Sequence, residues 1–138
     1  MPAISRWMIR ISLLYLLVGM VSGAIMLVNK AYVIHPSVWA LLPIHIEVVI
    51  FGWVIQLTLG TAYWMLPRFL EQPQRGNPQL AIGMVVALNL GILVIIADIL
   101  LSVSWGLGLL GRILELSAVV LFVILHWDRI VSYRASTT

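Results

Sequence analysis

Four apolar stretches of bilayer-spanning length, at about residues 11–28, 43–66, 81–103 and 107–127, take up nearly all of this 138-residue chain. At ~1.5 Å rise per residue, each can carry a helix across a hydrocarbon core of ~30 Å. Lipid offers a backbone no hydrogen-bond partners, so runs this long and this apolar specify helices. The expected fold is all-α: a polytopic membrane protein, one four-helix transmembrane bundle over residues 1–138. Composition points the same way, with 62% hydrophobic residues, 9% charged and a mean hydropathy of +1.10. No room is left for a soluble domain. The first stretch lacks a small-x-small cleavage site before a soluble region, so it reads as a retained span.

Charge placement sets the orientation. Arg6, Arg10, Arg68, Arg75, Arg129 and Arg134 flank the spans on one side, and only Lys30 falls on the other. That is the positive-inside pattern, which puts both termini in the cytoplasm of a bacterial or archaeal cell. The pI near 9.8 therefore reflects membrane topology and excludes a nucleic-acid partner. Cysteine is absent, which excludes disulfides, thiolate metal sites, iron–sulfur clusters and thioether-attached haem.

The second span is the most informative. At ~100° per residue, His45, Gly52, Gln56, Gly60 and Tyr63 share one narrow stripe. An imidazole above two glycines suits a flat, bulky ligand, because the ring nitrogen binds and the missing side chains leave clearance. The same glycines also suit close packing of a neighbouring helix, with His45 as an interfacial hydrogen-bonder. Glu47 lies about 200° around the helix from His45, so it faces another helix or a partner. In the first span, the Gly19–Gly23 pair in GMVSG reads as a packing face or as ligand clearance.

With its outer histidine, its glycines, the aromatic pair Tyr63-Trp64 and Pro67, this stretch resembles the second transmembrane helix of the large subunit of haem-copper oxidases and nitric oxide reductases. The resemblance runs from about Ile11 to Phe69. It implies that His45 is an axial ligand of a haem b iron, with Gly52 and Gly60 giving clearance. It also implies a respiratory-chain setting and electron transfer or diatomic gas binding. The family's reducing centre needs further histidines, and this chain has three in all, so a complete oxidase is not expected.

Several polar residues complete the reading. Arg112 and Glu115 are three apart on the fourth span and can pair. A central charge costs about 2.5–3.5 kcal/mol on insertion, so partners are expected, and Asp98–Arg112–Glu115 forms a natural cluster across the last hairpin. Arg112 would then meet the haem propionates. A second axial ligand would come from His45 of a second copy in a homodimer or from His35 folding back; otherwise the haem is five-coordinate. His126 reads as an interfacial residue at the far end of the bundle. The competing readings are a cofactor-free accessory or assembly subunit of a respiratory complex, and a small proton or ion conductor using Glu47, Asp98 and Glu115.

Overall fold

The structure, a computed structural model, describes residues 1–66, 77–101 and 105–135, without the side chains of 105 and 128–135. Its main elements are α1 (Ala3–Tyr32), α2 (Pro36–Met65), α3 (Pro78–Leu101) and α4 (Trp105–Ala135). All four hold windows long and apolar enough to cross a membrane. The chain is an all-α, multi-pass membrane bundle.

The helices overrun the expected bounds. α1 begins at Ala3, eight residues before the apolar stretch, because Arg6 and Arg10 are good helix formers and leave the winding unbroken. The guanidinium of Arg10 lies 5.8 Å from the Trp7 ring centroid. α3 starts where sequence chemistry directs. Asn77 caps it, its Oδ1 accepting from the Gln79 amide at 2.9 Å, and Pro78 occupies the first helical position. Of the turn expected over SVSWG (102–106), Trp105 and Gly106 already belong to α4; 102–104 and the loop residues 67–76, with Arg68 and Arg75, lie outside the described residues.

α1 ends at Val33, whose φ of 45° is left-handed and whose amide bonds to the Asn29 carbonyl at 2.8 Å. α2 then opens with a 3-10 turn over Pro36–Ala40, becomes α-helical over Leu41–Glu47, widens to a π-helix over Val48–Ile55, and returns to α over Gln56–Met65.

α1 and α2 run antiparallel in close contact. The buried stripe of α1 is small or polar apart from two methionines: Ser5, Met8, Ser12, Gly19, Ser22, Met26 and Asn29 recur at helical spacing. Large apolar residues such as Leu14, Leu17, Met20 and Leu27 point outward. In lipid there is no hydrophobic drive between helices, so close backbone approach and hydrogen bonds take its place. A Cβ on Gly60 would stand 2.8 Å from Met8 Cβ, and one on Gly52 would stand 2.5 Å from Tyr15 Cγ. Gly60→Ala is expected to destabilise the bundle by about 1–3 kcal/mol, because the obstacle is an atom fixed to the backbone of α1. Thermal unfolding in detergent checks this.

α3 and α4 form an equally tight antiparallel pair. A Cβ on Gly91 would lie 2.9 Å from the Gly111 carbonyl, and one on Gly111 would lie 2.4 Å from Ile95 Cγ1. The two pairs meet over a core of Met8, Leu59, Met84, Leu88, Ile92 and Ala118. The Tyr15 hydroxyl donates to Asn89 Oδ1 at 3.2 Å, joining α1 to α3.

Candidate functional site

His45 sits in the last α-helical turn before the π segment. Its ring crosses to α1. Nδ1 lies 2.9 Å from the Gly19 carbonyl and 3.2 Å from Ser22 Oγ, whose own proton goes to Gly19 O at 2.9 Å. A carbonyl only accepts, so the proton sits on Nδ1 and Nε2 keeps its lone pair. A backbone acceptor on the second nitrogen is the arrangement that orients histidine as a metal ligand. Gly23 makes room for the ring, since a Cβ there would come within 2.9 Å of Cε1.

A groove of about 490 Å³ opens beside this imidazole. Gly19, Gly23, Met20 and Met26 line it, with Lys30 and Trp39 toward its connection end. Its wall is mostly apolar, and its size is that of a small-molecule site. Among the described residues no three His, Asp or Glu side chains gather as a metal cluster. A bare ion would need such a set, whereas haem brings its own equatorial ligands and asks the protein for axial ones. One oriented imidazole, two thioethers and one cation stand around an apolar groove.

The other expected site residues fall elsewhere. Gly52 and Gly60 do lie on the His45 side of α2, but the space above them is filled by Tyr15 and Met8. Clearance beside the imidazole comes instead from Gly19 and Gly23. His35 is exposed and caps the 3-10 turn, its Nδ1 accepting from the Ser37 amide at 3.2 Å and also bonding the Ser37 hydroxyl. It is not among the groove residues. His126 is buried among the helices: Nδ1–H donates to the Phe122 carbonyl at 2.8 Å, and its ring centroid lies 4.2 Å from that of Phe122 and 5.8 Å from that of Tyr63. Tyr63 is eighteen residues below His45 on α2, roughly 25 Å at helical rise, so the two histidines serve separate places.

Arg112 lies on the opposite flank of α2. It forks onto Glu47, with Nη2–Oε2 at 2.8 Å and Nη1–Oε1 at 3.3 Å, and its Nη1 donates to Glu115 Oε2 at 2.7 Å. Its guanidinium carbon stands 4.9 Å from the Phe51 ring centroid. The expected grouping of Arg112 with His45 and with Asp98 is not formed. Asp98 instead meets Gly108. The cation bordering the His45 groove is Lys30. The signal for this site was present in GMVSG, whose Gly19, Ser22 and Gly23 all serve His45; the sequence did not show that they outrank Gly52 and Gly60.

Set against known proteins, the chain matches no family model, no curated protein and no solved structure.

Proposed function

We propose that this four-span protein is a small b-type haem protein that carries electrons or binds a diatomic gas in a bacterial or archaeal cytoplasmic membrane. The observation that carries the reading is His45. Its Nδ1–H is held by the Gly19 carbonyl, so Nε2 is left as a ligand atom beside an apolar groove. The sequence resemblance of His45–Arg68 to the second helix of the haem-copper oxidase large subunit implies the same ligand.

His45 would hold the iron, Gly19 and Gly23 would admit the macrocycle edge, and Lys30 would meet the propionates in the place first given to Arg112. The thioethers of Met20 and Met26, or His45 of a second copy in a homodimer, would be the further donors available to hold the haem. Bound haem would supply one-electron chemistry or a gas site. Gly19, Ser22 and Gly23 orient the imidazole at the groove. Both termini lie in the cytoplasm on this reading, with Arg6 and Arg10 inside and Lys30 outside.

An optical spectrum of the purified protein, oxidised and reduced, tests the proposal. A Soret band with reduced α and β bands is expected. A colourless native preparation that travels with a larger respiratory complex overturns it, in favour of a cofactor-free accessory subunit.

A further inference from the structure

The Glu47–Arg112–Glu115 group holds two carboxyls and one guanidinium inside a membrane span. Glu47 and Glu115 side chains are 2% and 3% exposed. Arg112 is six residues past Gly106, where the apolar part of α4 begins, or about 9 Å into the span. Fully ionised, the group carries one net negative charge, which a low-dielectric interior strongly disfavours.

Hydrogen bonding shows where the imbalance lies. Both oxygens of Glu47 receive Arg112 donors. Only Oε2 of Glu115 does. Oε1 of Glu115 is buried and has no partner. The two carboxyls share one guanidinium nitrogen: Arg112 Nη1 lies 2.7 Å from Glu115 Oε2 and 3.3 Å from Glu47 Oε1. Two ionised carboxylates are both acceptors, so a hydrogen bond between them requires a proton on one.

We propose that Glu115 is a resident proton-binding site: it holds one proton in the resting protein, donates it toward Glu47, and leaves Arg112 and ionised Glu47 as a neutral pair. The groups facing it are Arg112 from its own helix and Glu47 from α2. α3 presents the Gly91 backbone and Ile95 to this stretch of α4. Asp98 of α3 meets Gly108, a turn away from Arg112. The site lies on the flank of α2 away from His45 and does not depend on haem.

Infrared spectroscopy of the purified protein reads this directly. At neutral pH the wild type is expected to show the carbonyl stretch of a protonated carboxylic acid, shifted in D2O and shifted again by carboxyl-labelled glutamate but not by labelled aspartate. Glu115→Gln is expected to lose that band, and Asp98→Asn to keep it. Glutamine has the shape of the neutral acid and can donate to Glu47, so Glu115→Gln should also keep the wild-type melting temperature at neutral pH. The proposal is overturned by a wild type without the band, by a band that follows aspartate labelling or survives Glu115→Gln, or by a large fall in the melting temperature of that variant.

Discussion

Changing His45 to alanine is expected to abolish the Soret band of the purified protein while leaving the bundle folded. The iron would lose the one imidazole whose orientation is fixed at the groove. The fold would lose little: one hydrogen bond to the Gly19 carbonyl, worth about 1 kcal/mol, and the packing of a half-buried ring. His35→Ala is the matched control, because that exposed side chain only caps its own turn. It should keep the full band. Gly23→Leu should reduce haem occupancy without removing a ligand, since its side chain would press on the His45 ring. Absorbance at the Soret maximum per mole of protein, with circular dichroism alongside, separates these results. A band that persists in His45→Ala places the iron elsewhere and defeats the haem reading.

The second large effect belongs to stability. Arg112→Leu is expected to cost about 1–3 kcal/mol, the range for leaving a buried polar group without its partner, since the Arg112 side chain is itself 51% exposed. The leucine itself is well suited to lipid. The loss comes from Glu47, 2% exposed and left without the fork that satisfied both its oxygens. Arg112→Lys should cost less, because the charge remains, but not nothing, because an ammonium cannot reproduce the planar fork. Replacing Glu47, Arg112 and Glu115 together with leucine should recover much of the stability, as apolar exchange of a whole buried ionic set often does. Unfolding in detergent, followed by loss of helical signal, gives all three values. Equal stability of Arg112→Leu and wild type would mean that the ion pair contributes nothing to holding α2 against α4.

The spans were legible because length and hydropathy suffice for them. Their ends were not, because helices wind on through residues such as Arg6 and Arg10 that no apolar window includes. The stripe of His45, Gly52, Gln56 and Gly60 was also legible: all four face α1, through Ser22, Tyr15 and Met8. Spacing gave the face and could not give its occupant. Whether a glycine notch receives a ligand or a neighbour's side chain depends on the other helix, and Tyr15 and Met8 are not special as letters. The opposed directions of Glu47 and His45 followed from angle alone. The partner of Arg112 did not. Symmetry about the last turn suggested Asp98, but Asp98 meets Gly108 and Gly91 meets Glu115, which centres the hairpin near residue 103. That shift moves Asp98 a turn away from Arg112. It leaves the guanidinium to a glutamate sixty-five positions earlier, which no local pattern could indicate.

The π-helical stretch Val48–Ile55 has a consequence for how this helix tolerates change in length. Wide turns hold more residues per revolution than α turns. Deleting one residue there would let the wide turns tighten toward ordinary α winding, and their closing takes up much of the roughly 100° that the lost residue would otherwise turn the rod. The imidazole would then stay near Gly19 and the carboxylate near Arg112. The slack works as a buffer between two halves of one rod: a single lost codon is absorbed there, where the same loss in an α-helical stretch would break both contacts together.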